Sequence, residues 1–262
     1  MSRSIITITT DFGGGSPYVA QMKGVILSIN PEAMLVDITH DIAPQNVRQG
    51  ALVLEEVTQR FPRGTIHVAV VDPGVGTERK IVCAQIAGHY YVAPDNGLLS
   101  SVAIVESPTQ IVSLTNHGYW LPEISRTFHG RDIIAPVAAH LSLATPMGQF
   151  GQPINELTML DWPKPKTGAN RITGEVISID SFGNLISNIT AESLTAVHDL
   201  SSTAVTCAGQ TTHGIAETYA QRPPGSLVAL IGSAGKLEVA VADGNAAQKI
   251  SARVGDTITV TW

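Results

Sequence analysis

Five short segments of the 262-residue chain carry polar residues that core packing alone does not require. The first is Thr10-Asp11-Phe12-Gly13-Gly14-Gly15. It follows an alternating apolar stretch and precedes a helical one. Asp11 therefore falls at the carboxyl end of a strand, where open α/β sheets bind ligands. It is either an acceptor for a ribose diol or a turn residue beside glycines. The second segment, Asp37-Ile38-Thr39-His40-Asp41, also closes a strand. The third, Val71-Asp72-Pro73-Gly74-Val75-Gly76-Thr77-Glu78-Arg79, puts a carboxylate and a guanidinium on one tight loop. That pair is either part of a site or a surface ion pair of little worth. The fourth, Phe128-His129-Gly130-Arg131-Asp132, stands just before a helical stretch. His129 is either structural or the third member of a triad with Asp72 and Arg79. The fifth, Asp180-Ser181-Phe182-Gly183-Asn184, has the composition of a hairpin turn.

Other chemistries find no matching spacing. The loop after Val71 is neither a P-loop nor a G-x-G-x-x-G fingerprint, because Pro73 follows the strand and no third glycine is placed. The histidines (His40, His67, His89, His117, His129, His140, His198 and His213) never fall in H-x-x-x-H or H-E-x-x-H order, which argues against a zinc hydrolase. No G-x-S-x-G nucleophile elbow occurs. Cys83 and Cys207 are the only cysteines, without C-x-x-C spacing, and read as small buried hydrophobes.

The elements that must position these segments alternate in type. Ser4–Thr10, Met34–Ile38, Thr65–Val71, Ile81–Ile86, Tyr90–Ala93 and Ile111–Leu114 read as strands. Tyr18–Asn30, Gln49–Phe61 and Asp132–Ser142 read as helices, the first two stopped by Pro31 and Pro62. This order predicts an α/β domain around a central, mostly parallel sheet over residues 1–152. Residues 153–171, with Pro153, Pro163 and Pro165, read as a linker. Beyond it lie short strands at Ile172–Ile179, Leu185–Ile189, Ala204–Cys207, Leu227–Ile231, Leu237–Val241 and Thr257–Thr261, punctuated by Gly, Asn and Asp. They predict a smaller all-β barrel domain over residues 172–262.

Composition narrows the partners. A net charge of −6 and an aromatic share of 5% argue against a nucleic-acid surface. No apolar run approaches the roughly 18 residues of a membrane span. The first residues lack a signal-peptide h-region. A cytoplasmic location is the expectation, with no membrane partner.

Taken in order, the segments resemble the S-adenosyl-L-methionine hydroxide adenosyltransferase (S-adenosylmethionine hydrolase) family, related to the fluorinases and chlorinases. The matching strings are Thr10-Asp11-Phe12-Gly13, Tyr18-Val19 with Met22-Lys23-Gly24, Val36-Asp37-Ile38-Thr39-His40 and Val70-Val71-Asp72-Pro73-Gly74-Val75-Gly76. Ala93-Pro94-Asp95-Asn96-Gly97, Phe128-His129-Gly130-Arg131-Asp132, Phe182-Gly183-Asn184, Ser233 and Leu237-Glu238 follow. The resemblance implies hydrolysis of S-adenosyl-L-methionine to adenosine and L-methionine with no metal or separate cofactor. It implies a homotrimer with each active site between the N-terminal domain of one subunit and the C-terminal domain of the next. It also implies roles: Asp72, Arg79 and His129 hold and polarise the water, and Asp11 holds the ribose hydroxyls. Phe182 and Tyr219 sandwich adenine and Asn184 reads its edge. Asp180 pairs with the methionine ammonium and Ser233 bonds its carboxylate.

Departures from the family also carry information. The run Gly13-Gly14-Gly15 stands where a bulkier residue commonly follows the first glycine, and Ala234 stands where the halogenases place an Arg. The halogenases lack the Asp/Arg/His set and have a Thr near Val75; fluorinase has a Ser at the place of Gly130 and a Trp near Gln45. Here Asp72 would set an anion beside any halide, which a dry pocket strongly disfavours. Water is the expected nucleophile. The alternatives are a halide-dependent adenosyltransferase and a binding module for S-adenosylmethionine or adenosine without turnover.

Overall fold

The computed structural model describes residues 3–262. The chain divides into two compact units, one ending at Leu160 and the other spanning Asp161–Trp262.

The first unit contains β1 (Ile5–Thr10), α1 (Pro17–Ile29), β2 (Met34–Thr39), α2 (Val47–Thr58), β3 (Ile66–Val70), β4 (Ile81–Ile86), β5 (His89–Pro94), α3 (Ser100–Val105), β6 (Gln110–Leu114), α4 (Ala135–Ser142) and β7 (Gly151–Pro153). Its seven-stranded sheet has the order β2-β1-β3-β5-β4-β6-β7. The strands β2, β1, β3 and β5 are mutually parallel. The rest of the sheet is antiparallel. The change of direction has a local cause. Ala87 and Gly88, both at positive φ, form the two-residue turn that folds β4 back on β5.

β3 is buried along its whole length, as a central strand covered on both faces must be. Its residues alternate between two cores. Ile66, Val68 and Val70 join Met22 and Ile26 of α1 and Val137 of α4 on one face. Ala69, with Val71 just past the strand, joins Leu54 of α2 and Val102 of α3 on the other. At about 1.5–3 kcal/mol for each large side chain buried, these two layers make the sheet a rigid base. From β1 the chain passes to β2 on one side, and β3 then pairs on the other side of β1. The direction of winding thus reverses between β1 and β3. Ligands of open α/β sheets bind outside the carboxyl ends of strands at such a reversal.

In this unit α3 and β7 add to the sequence expectation, and two further stretches differ from it. The helix expected from Asp132 begins instead as one wide turn, Gly130–Ile134, in which Ala135 N–H bonds to Gly130 C=O, before α4 takes over. The stretch read as a linker is partly ordered on the first unit: Leu157 is buried, and the N–H groups of Thr158 and Leu160 bond to Asp95 Oδ1 and Ser100 Oγ.

The second unit contains β8 (Lys166–Gly168), β9 (Arg171–Ile179), β10 (Leu185–Thr190), β11 (Ala204–Cys207), β12 (Gln210–His213), β13 (Ile215–Ala216), β14 (Leu227–Ile231), β15 (Lys236–Val241), the one-turn α5 (Ala246–Lys249) and β16 (Thr257–Thr261). The strands form one nine-stranded sheet with the path β12-β11-β16-β9-β10-β15-β14-β13, and β8 adds to β9. The sheet curls nearly into a barrel, and Thr212 Oγ1 on β12 donates to Leu227 C=O at the start of β14. The interior is filled by alternate residues such as Ile172, Val176, Leu185, Val239 and Val260.

Candidate active site

The first unit gathers three of the expected residues into direct contact. Asp72 leaves the end of β3, and the chain turns through Gly74 and Gly76 to return Arg79 beside it. Arg79 Nε donates to both carboxylate oxygens of Asp72 at 2.8 Å, and Nη2 also donates to Oδ2. The side chains of Asp72 and Arg79 are only 5% and 10% exposed, so this is not a solvated surface pair. Arg79 Nη2 also donates to His129 Nδ1 at 3.1 Å. The guanidinium thus bridges carboxylate and imidazole. His129 is held below the usual histidine range by burial first and by the Arg79 charge second, with Asp72 and Asp132 opposing.

Asp11 leaves the end of β1. Its Oδ2 accepts the N–H of Gln45 at 2.8 Å, and Gln45 sits at φ 64°, a strained conformation for a residue with a side chain. The Asp37–Asp41 segment serves this loop. Thr10 Oγ1 and His40 Nδ1 are 2.9 Å apart, Gly13 N–H bonds to His40 C=O and Gly14 N–H to Asp41 Oδ1. Gly13 has φ +80°, which is why the loop needs a glycine there. Phe12, Tyr18 and Phe128 meet edge to face with centroids 5.1–5.7 Å apart. This cluster ties the Asp11 loop to the residue preceding His129.

The other five expected residues lie in the second unit. Asp180, after β9, organises its own turn. Oδ1 accepts the N–H groups of Phe182 and Asn184, and Oδ2 accepts Asn184 Nδ2. That turn projects the Phe182 ring, which is 74% exposed, and buries Asn184. Gly183, at φ +86°, packs against Asn245 so closely that no side chain fits. Tyr219 donates to Glu238 Oε2 at 2.9 Å. Burial, that hydrogen bond and the charges of Glu238 and Asp180 push its hydroxyl up to about 12. Ser233 lies in the turn between β14 and β15, where Gly232 packs against the Glu238 carboxylate. Among the described residues no group of three or more His, Cys, Asp or Glu side chains is arranged to hold a metal ion.

The structure adds residues to which sequence reading assigned no role. Glu238 is buried and accepts the Tyr219 hydroxyl, and Asp132, three residues after His129, is fully buried. Both lay inside strings already noted, yet their burial depends on contacts remote in sequence.

Comparison with known proteins decides the family. Residues 6–151 match the SAM hydroxide adenosyltransferase N-terminal domain, and residues 174–259 match its C-terminal domain. The chain belongs to the SAM hydroxide adenosyltransferase family. A relative from Salinispora arenicola, named (R)-S-adenosyl-L-methionine hydrolase, is 36% identical over 98% of this chain and 97% of its own. A fluorinase from an Actinoplanes species is 29% identical over 71% of each chain. The crystal structure of an uncharacterized conserved protein from Thermotoga maritima superimposes with a TM-score of 0.93 at 37% identity, over 98% of this chain and all of that one. This family member has no helix long and apolar enough to cross a membrane among its described residues.

Proposed function

We infer that the chain hydrolyses S-adenosyl-L-methionine to adenosine and L-methionine by attack of water at ribose C5′. The observation that carries the site assignment is the Asp72–Arg79–His129 contact at the carboxyl end of the central parallel strands. The new C5′–O bond forms as the C5′–S bond breaks; the sulfur leaves with its electron pair as the neutral thioether of methionine. One proton is released from the water. Because the sulfonium supplies its own leaving group, the protein's tasks are orientation, water exclusion and proton acceptance. No cofactor is needed.

The three side chains divide that work. A guanidinium has only donors, so His129 Nδ1 is an acceptor and the neutral ring carries its proton on Nε2. His129 then orients the attacking oxygen as a donor. Asp72 is the proton acceptor, since a carboxylate offers about four lone-pair sites and Arg79 does not use them all. Asp72 also disfavours a halide in the same place.

The substrate assignments follow the chemistry of each group. Asp11 holds the ribose hydroxyls. Phe182 and Tyr219 flank adenine, and Asn184, its Nδ2 committed to Asp180, offers Oδ1 to the exocyclic amine. Asp180 faces the methionine ammonium and Ser233 the carboxylate. A homotrimer assembles each site from the first unit of one subunit and the second unit of the next; the exposed Phe182 ring suits such a shared surface. Free, buried Cys83 and Cys207 accord with a cytoplasmic setting.

The test is product analysis of purified protein with S-adenosyl-L-methionine. Adenosine and methionine in equal amounts are expected. Release of 5′-methylthioadenosine or S-adenosylhomocysteine instead would refute water attack at C5′.

A further inference from the structure

We propose that Asp132 is a positioning residue for the reaction: its buried carboxylate locks the segment that carries His129 so that the imidazole meets Arg79. The proposal rests on the assignment of Asp72, Arg79 and His129 as catalytic.

Asp132 is fully buried, yet it lies outside the triad. A buried carboxylate persists only if it is paired and hydrogen-bonded. Here Oδ2 accepts the N–H of Ser125 at 2.7 Å and Oδ1 accepts Arg131 Nε at 2.6 Å, with Arg131 Nη2 at 3.2 Å from Oδ2. Its backbone is used as well. Its C=O accepts Leu121 N–H and its N–H donates to Phe128 C=O. One residue therefore gathers positions 121, 125 and 128 onto the wide turn that begins after His129.

The gathered segment also packs against the other catalytic loop at Gly76. Gly76 has φ +80°, and a Cβ there would collide with the Arg126 carbonyl oxygen. The loop from Asp72 to Arg79 is thus seated directly on the segment that Asp132 holds. Arg131, the counter-ion, is fixed in turn by Gln21 Oε1 at 3.0 Å and by the Phe128 ring, 5.1 Å from its guanidinium carbon. Asp132 also acts through its charge. The charges that act on the His129 ring are Arg79, Asp72 and Asp132, and Asp132 raises the basicity that Arg79 lowers.

Asp132→Asn keeps the size of the side chain but removes its charge and one acceptor oxygen. The amide oxygen still accepts one bond, but the ion pair with Arg131 and the field at His129 are lost. The experiment measures kcat and KM of the full chain for S-adenosyl-L-methionine, with the His129 titration followed by NMR, in Asp132→Asn, Gly76→Ala and, as reference, Asp72→Asn. Asp132→Asn is expected to lower kcat at least tenfold with KM within twofold, and to move the His129 midpoint up, because a ring drawn away from Arg79 escapes a larger effect than the Asp132 charge it loses. Gly76→Ala, which displaces the same segment from the opposite loop, is expected to show the same kcat loss and serves if Asp132→Asn does not fold. A folded Asp132→Asn with kcat within twofold of the parent, or with an unmoved His129 midpoint, overturns the proposal. So does a Gly76→Ala with parental kcat. Parental turnover in Asp72→Asn would instead refute the catalytic assignment itself.

Discussion

Nη2 of Arg79 donates to Nδ1 of His129 across 3.1 Å, which leaves the neutral imidazole with its proton on the far nitrogen. Protonating His129 would place an N–H against an N–H and break this contact. Burial and the Arg79 charge lower the histidine's proton affinity, so the break comes only on the acidic side. The kcat/KM profile should be level through neutrality and fall with a midpoint below 6.5, the ordinary histidine value. A midpoint above 6.5 in a pH–rate series would contradict this arrangement.

Asp72 is assigned the proton of the attacking water. Asp72→Asn should lower kcat at least about a hundredfold, the scale of general acid–base catalysis. Adenosine affinity should stay within about tenfold, or ~1.4 kcal/mol. Calorimetric titration with adenosine beside a turnover assay separates the two. Unchanged turnover would remove Asp72 from the mechanism.

Asp11 is predicted to read the ribose diol while it also holds the strained Gln45. Asp11→Ala should weaken adenosine and S-adenosylmethionine alike, and should erase discrimination against 2′-deoxyadenosine. If the variant still prefers the ribonucleoside in competition binding, the diol is recognised elsewhere.

His67 makes a stability prediction away from the site. It is fully buried on β3, with Nδ1 2.7 Å from Thr7 Oγ1 and Nε2 3.3 Å from His89 Nδ1. Burial and then the neighbouring His89 push it down to about 3. Above pH 6.5 the ring is neutral in folded and unfolded chains alike. Below 6.5 the unfolded chain takes up a proton that the folded one refuses, so stability falls as the pH drops toward 3. One such proton is worth about 1.4 kcal/mol per pH unit. Urea unfolding between pH 7 and 4 should show a steeper loss in the parent than in His67→Gln by about that slope. Equal slopes would mean that His67 titrates normally.

Much of this was legible in the chain itself. Alternation of Ile6 and Ile8 with threonine marked β1, the mostly apolar run Thr65–Val71 marked the central strand, and Asp11 and Asp72 stood out because each follows such a strand directly. The direction of β4 was less legible, because it depends on a two-residue turn at Ala87 and Gly88. The six-residue α3 has too few turns to show a period. Asp132 read as a helix-start residue, and only the return of Ser125 onto its carboxylate shows it to be buried. Glu238 is the same case, since Tyr219 reaches it across 19 residues of sequence.

The central claim is that water, held by Asp72, Arg79 and His129, attacks C5′. It is tested most directly by incubating the protein with S-adenosyl-L-methionine in oxygen-18 water, with and without chloride or fluoride, and analysing the nucleosides by mass spectrometry. Adenosine bearing one oxygen-18 at the 5′ position, unaffected by halide, is the predicted result. A 5′-halo-5′-deoxyadenosine, or adenosine without the label, would contradict it.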